Sequence, residues 1–229
     1  MDIPLSQIKP IYPPKPPNHP IQETIPTQKN IKALNLTPHP EGGYYRETDR
    51  NPCRIPNPFA SQTRSDTDTE TETRSASSAV LYLLTPQQPL GAFHRNQGRT
   101  VHVWQGGRGR YVIIHADEVE SQSQIQGTGS PEKPKARVET FIVGRDVARG
   151  ERVQWVVEGG KYKASFLLPD EVGEDSSSSL LISEVVIPGF EFADHDFLRK
   201  EDMKELLTAE QVEKLSWMLK AMNKEGEPV

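Results

Sequence analysis

TVHVWQGGRGRYVIIHA, residues 100–116, alternates valine with polar or aromatic side chains, breaks at a glycine-rich turn and resumes as an apolar run. In an extended chain successive side chains point to opposite faces. Thr100, His102 and Trp104 therefore share one face, and Val101 and Val103 share the other. The segment reads as a hairpin with one packed side and one side lining a cavity, as in small antiparallel barrels. GGRGR at 106–110 lacks the spacing and the following helix of a phosphate loop and reads as a turn with a basic rim.

Working outward, similar runs occur at 78–85, 91–96, 110–116, 136–144, 151–158, 161–169 and 180–192, rich in valine, isoleucine, aromatics and threonine and separated by turn residues. Strand after strand without intervening helices predicts an all-β antiparallel barrel or sandwich. Polar inserts at 61–78, 121–135 and 169–179 are expected to be exposed loops, and the acids of the first a solvated run rather than a metal site. Residues 1–28 form a proline-rich arm, 29–200 the barrel domain and 201–229 a helical end. KNIKALNL (29–36) predicts one or two helical turns closed by Thr37-Pro38. Near the C-terminus Thr208 and Gln211 make a capping box, followed by Val212, Leu215, Leu219 and Met222 on one helix face.

Composition narrows the function. The 229 residues carry a net charge of −5, so no basic field invites nucleic acid or an anionic membrane. No apolar run reaches the roughly 18 residues of a membrane span. A single cysteine, Cys53, excludes an internal disulfide and any CxxC motif, and the first residues carry no apolar signal core. A cytoplasmic protein is expected.

Candidate site residues follow from strand parity. His94 and Asn96 share a face, and Gln154 alternates with Trp155. Lys163 is either an exposed edge residue or a cavity residue. HPEGGYYRET (39–48) contains Gly42-Gly43, which signals demanding backbone geometry. Its tyrosine, Tyr45 or Tyr44, would reach the cavity mouth, with His39 and Glu41 tying down the turn. The DHD of 194–196 reads as a solvated loop at a strand end, and His115 as a surface or edge residue.

HPEGGYYRET, the FHR of 93–95, GERVQWVVEGGKYKA (150–164) and VVIPGFEFADHDFL (185–198) together resemble the cupin superfamily in order and spacing. More narrowly, they are similar to its subfamily long known as a domain of unknown function. The resemblance spans about residues 30–200. It implies an RmlC-like jelly roll (a double-stranded β-helix) with a central pocket and a homodimeric assembly. At the motif positions that hold metal in cupins, His94 takes the first histidine, Asn96 the second, Thr100 the glutamate and Lys163 the last histidine. One histidine, an amide, a hydroxyl and an ammonium do not make the donor set a divalent ion needs. The expectation is a protein with no metal and no other cofactor.

Three functions fit. The first is an enzyme of isomerase, epimerase, cyclase or dehydratase type, with His94, His102 and Lys163 as catalytic groups and Tyr45, Asn96, Thr100, Trp104 and Gln154 holding the substrate. The second is a binding protein that leaves its ligand unchanged, and the third a structural dimer. A lining rich in imidazole and ammonium groups predicts a small molecule carrying a carboxylate, enolate or phenolate oxygen.

Overall fold

The computed structural model describes residues 7–12, 22–60, 73–119, 135–169 and 178–222. Most of the three polar inserts (61–72, 120–134 and 170–177) thus lies outside the described residues, as do parts of the proline-rich arm.

Two antiparallel sheets face each other. One runs, in spatial order, β1 (Thr37–Pro38), β2 (Tyr44–Arg50), β5 (Ser78–Leu84), β12 (Leu180–Ile187), β7 (Arg99–Gly107) and β10 (Gln154–Val157). The other runs β13 (Asp196–Phe197), β6 (Leu90–Arg95), β11 (Tyr162–Leu167), β8 (Gly109–Ile114) and β9 (Val138–Val143). The fold is the jelly roll that the cupin resemblance implies, within the barrel or sandwich class expected from the strand pattern. A short hairpin of β3 (Arg54–Pro56) and β4 (Thr73–Ser75) stands apart. β4 corrects the reading of 61–78 as loop throughout. Arg74 and Ser75 are buried, and the Arg74 guanidinium donates to the Gly189 carbonyl and to Asp194.

Apolar side chains fill three layers. Between the sheets, Tyr82, Leu84, Tyr111, Ile113, Phe141, Trp155 and Ile182 pack one end of the barrel. Outside the five-stranded sheet, Phe93, Val112, Ile114 and Phe166 are covered by α2 (Lys200–Leu206) and α3 (Ala209–Leu215) through Met203, Leu207 and Leu215. Thr208 and Gln211 form the expected capping box of α3. Outside the six-stranded sheet, Leu36, Tyr44 and Leu83 pack with Ile31 of α1 (Ile25–Ala33) and with Leu34, which caps its C-terminal end. This helix begins earlier than expected because Thr24 caps it and Pro26 fits its first turn. The arm is also less free than its composition suggests. Ile8 is 2% exposed within the outer core, and Glu23 accepts from Tyr44 Oη at 3.0 Å and Thr85 Oγ1 at 2.6 Å.

The turn at 39–43 explains the Gly-Gly pair. His39 N donates to Gly43 O and Gly42 N to His39 O, both at 3.0 Å, which closes the loop. Ala92 N then donates to Glu41 O at 2.8 Å, pinning the turn against β6. Gly42 has φ +104°, and a Cβ there would lie 2.1 Å from Leu90 O. Both the dihedral and the close approach require glycine. Gly42→Ala is therefore expected to cost about 2 kcal/mol or more, measurable by urea denaturation. A change within a few tenths of a kcal/mol would mean the turn is not held as described.

Candidate functional site

Three separate pieces of chain deliver one cluster. The pinned turn carries Glu41, β6 carries His94, and the segment entering β13 carries His195. The β6–β13 ladder pairs Phe197 with His94, which fixes the last piece beside the second. His195 Nε2 lies 2.8 Å from Glu41 Oε1, and His94 Nδ1 lies 3.3 Å from Glu41 Oε2 and 2.9 Å from the Ala92 carbonyl. The two imidazoles stack with centroids 5.3 Å apart and planes 10° apart. His39 Nδ1 accepts from Glu41 N at 3.2 Å, and its ring meets Tyr45 edge-on at 4.3 Å.

Burial alone would raise the Glu41 carboxyl; the imidazoles of His94, His39 and His195, the last by direct hydrogen bond, outweigh it and hold the group well below the usual carboxylate range. Burial lowers His94 to about 4; Glu41 opposes the shift, and Lys163 and His195 add to it. At neutral pH the cluster therefore holds a carboxylate beside an uncharged His94.

A second cluster lies behind this one. Lys163 Nζ donates to Glu184 Oε2 and to His102 Nε2, each at 3.1 Å. His102 is fully buried and stacks on Trp155 at 5.0 Å and 9°. Burial, then the neighbouring Lys163, push the His102 ring well below its ordinary value. It serves as the neutral acceptor that satisfies the lysine.

A cavity of about 160 Å³ opens at this end of the barrel. Tyr45, Val80, Tyr82, Val186, Phe190 and Phe192 form its apolar wall; His39, Glu41, His94, Asn96 and Glu184 its polar base; Glu47, Arg50 and Glu191 its rim. Arg50 is spoken for, donating to Glu47 at 2.7 and 2.8 Å and to Glu191 at 3.0 Å. The Asn96 Oδ1 atom is buried and has no hydrogen-bond partner among the described residues.

Of the expected site residues, His94, Asn96 and Tyr45 meet on this cavity. Lys163 and His102 are inward but sit behind its wall. Thr100 is buried and Trp104 half-buried, its Nε1 donating to Gly107 O at 2.8 Å; neither lines the cavity. Gln154 is a correction, for it is exposed while Trp155 is buried. Cross-strand partners share a face, and the register pairs Gln154 with the outward Val103 and Trp155 with the inward His102. The cation-rich lining is corrected too. Four carboxylates (Glu41, Glu47, Glu184 and Glu191) face the cavity with one arginine, and Lys163 is paired. His195 is about 10% exposed rather than solvated. His115 is buried rather than at the surface, with Arg137 Nη2 and Lys161 Nζ each 2.9 Å from its Nδ1. Parity could not reveal Glu41, Glu184 or His195, because their roles depend on which segments meet across the fold.

Comparison with known proteins agrees with this architecture. Residues 28–198 match the family described as Cupin superfamily (DUF985), and the chain belongs to it. It is 39% identical over 197 residues to the uncharacterized protein YML079W of Saccharomyces cerevisiae, covering 83% of this chain and 85% of that one. A hypothetical protein from Leishmania major superimposes with a TM-score of 0.61 at 24% identity, over 84% of this chain and 97% of that one. Protein SO0799 from Shewanella oneidensis does so with 0.55 at 23%, over 82% and 95%. These two show the fold. The donors at the metal positions of the cupin motifs, Asn96, Thr100 and Lys163 beside His94, do not fit a metal, and the Lys163 ammonium is committed to Glu184 and His102.

Removing Lys163 leaves Glu184 without its counter-charge. Lys163→Met is expected to lower stability by about 3 kcal/mol, the low end for a broken buried pair because the Glu184 side chain is 16% exposed. The double variant Lys163→Met/Glu184→Leu should recover most of that loss in urea denaturation. Equal losses in the single and double variants would show that the pair does not act as a unit.

Proposed function

We propose that this cupin takes a small, uncharged or cationic organic molecule rich in hydrogen-bond donors into the cavity and moves a proton on it. The chemistry would be of isomerase, epimerase, cyclase or dehydratase type. The observation that carries this reading is the His94 imidazole on the cavity, with the Glu41 carboxylate 3.3 Å from its Nδ1; burial favours the uncharged ring. His94 acts as the base: a C–H bond next to a carbonyl of the substrate breaks as an N–H bond forms, and the electron pair passes into that carbonyl. Glu41, held by His195, stabilises the imidazolium so created. The imidazolium, whose N–H exchanges with solvent, then gives a proton back to the same or a different carbon of the substrate, so the product leaves with His94 neutral again. No metal at the cupin-motif positions is needed for this step.

The lining supports the ligand class. Carboxylates and the unpaired Asn96 Oδ1 are acceptors and want donors. Against the aromatic wall, a compact ring or chain bearing hydroxyl or amino groups matches the volume, which is about that of a benzene-sized guest. An anion, expected earlier, would face net negative charge.

The test uses the full chain in a chelating buffer and nuclear magnetic resonance screening of small polyols, amines and carboxylates. Polyols or amines should bind saturably, and among their carbonyl-bearing analogues, small hydroxy or amino ketones and aldehydes, at least one should take up deuterium at the carbon next to the carbonyl from D₂O. His94→Gln should abolish the uptake while the fold is retained. Binding without uptake would leave a binding protein, and preference for carboxylates would overturn the ligand class.

We further propose a homodimer. Val156, Val101 and Val185 lie side by side across three strands of the six-stranded sheet, with Val156 39% exposed. Such an apolar strip is suited to a twofold contact. Light scattering should give twice the 25.7 kDa chain mass, falling toward a monomer for Val156→Lys. A monomeric wild type would end this proposal.

A further inference from the structure

We propose that Glu41, His94 and His195 form a site for a divalent transition-metal ion of zinc-like preference, sharing only His94 with the cupin-motif positions. One ligand atom from each residue lies within 4.8 Å of the others. Two imidazoles and a carboxylate are the donor types that suit zinc, iron, cobalt and nickel. Ligand atoms on a common metal are separated by roughly 3–4 Å at bond lengths of about 2.0–2.2 Å, so a small contraction suffices.

The site is also held in shape without a metal. The turn is fixed by Ala92 N to Glu41 O at 2.8 Å, and His195 by the pairing of β13 with β6. Preorganisation of this kind lowers the cost of binding. Charge favours a cation. Glu41 and Glu184 bring two negative charges against Lys163, and the rim of Glu47 and Glu191 exceeds Arg50. The chain contains a built-in contrast. His115 also lies 3.2 Å from both Glu118 and Glu139, yet Arg137 and Lys161 crowd its Nδ1 at 2.9 Å and exclude a metal. For His94 and His195 the hydrogen-bonding neighbours are the Ala92 carbonyl and Glu41, and the Lys163 ammonium across the strand from His94 is committed to Glu184 and His102. Independently, the unpartnered Asn96 Oδ1 on the same cavity can accept from a metal-bound water. Three protein ligands beside a cavity leave a position open, as reactive rather than structural metal sites do.

The inference uses the cavity and His94 of the reading above; the metal-free site is the one that moves the proton, and a bound ion would silence that step, since a lone pair given to a metal cannot take a proton.

The experiment is calorimetric titration of chelator-stripped full-length protein with zinc, and optical titration with cobalt(II), with no organic compound present. One ion per chain is expected, with cobalt d–d bands of a site containing imidazole. Glu41→Gln and His195→Asn should weaken binding more than the roughly 10–100-fold that loss of an outer partner costs. His115→Ala should leave it unchanged. His195→Cys provides a check independent of folding defects, since a ligating thiolate adds a sulfur-to-cobalt charge-transfer band. Absence of saturable binding, unchanged affinity in Glu41→Gln and His195→Asn, or no such band in a folded His195→Cys would overturn the site. The outcome is separable from the proton-transfer test, which is run in chelator.

Discussion

One main-chain hydrogen bond, Ala92 N to Glu41 O, organises this end of the barrel. It ties a five-residue turn with two left-handed glycines to β6, the strand that carries His94. With it in place, Tyr82 Oη can donate to Gly42 O from the neighbouring sheet, and the Glu41 side chain has only the cavity to enter. Without it, Glu41 would be an ordinary surface acid. A backbone contact thus decides the chemistry of a side chain.

The buried charges are tolerable because each is answered locally. Lys163 meets Glu184 and His102, and Glu41 meets His195. Charges in a barrel interior destabilise it by several kcal/mol unless paired and hydrogen-bonded. The imidazoles serve as adjustable neutral partners. His102 is an acceptor for an ammonium, and His195 a neighbour for a carboxylate. Aromatic stacking on Trp155 holds the first ring, and stacking on His94 the second. The same ring type therefore answers an ammonium in one cluster and a carboxylate in the other.

Strand alternation made an antiparallel barrel or sandwich legible, because valine and aromatic runs with turns between them have few other uses, and the cupin motifs narrowed it to a jelly roll. Alternation also set His94, Asn96 and His102 on the inward face, whereas it left Lys163 open between edge and cavity, and only the cupin-motif position put that residue inward. Where it failed, the missing quantity was register. Gln154 and Trp155 are equally consistent with parity until pairing with Val103 and His102 selects one face. Glu41 and His195 were obscured for a different reason. Each stands in a segment with little regular structure of its own, where period carries no information, and their meaning appears only when 41 is set against 195. Arg74 was hidden in the same way inside a polar stretch, its burial depending on Gly189 and Asp194.

The origin of the three cluster residues also bears on how the molecule comes into being. Residues 41, 94 and 195 meet only through contacts of long sequence separation, whose loop-closure entropy must be met before they contribute stability. During synthesis from the N-terminal end, most of the barrel strands emerge before His195 does. A nascent chain can then build the two sheets while its cavity still lacks one wall. The site completes when β13 docks on β6, and α2 and α3, which follow directly, close over Phe93 on the reverse side of that strand. Completion of the site and closure of the outer core thus draw on adjoining stretches of the same late-emerging chain.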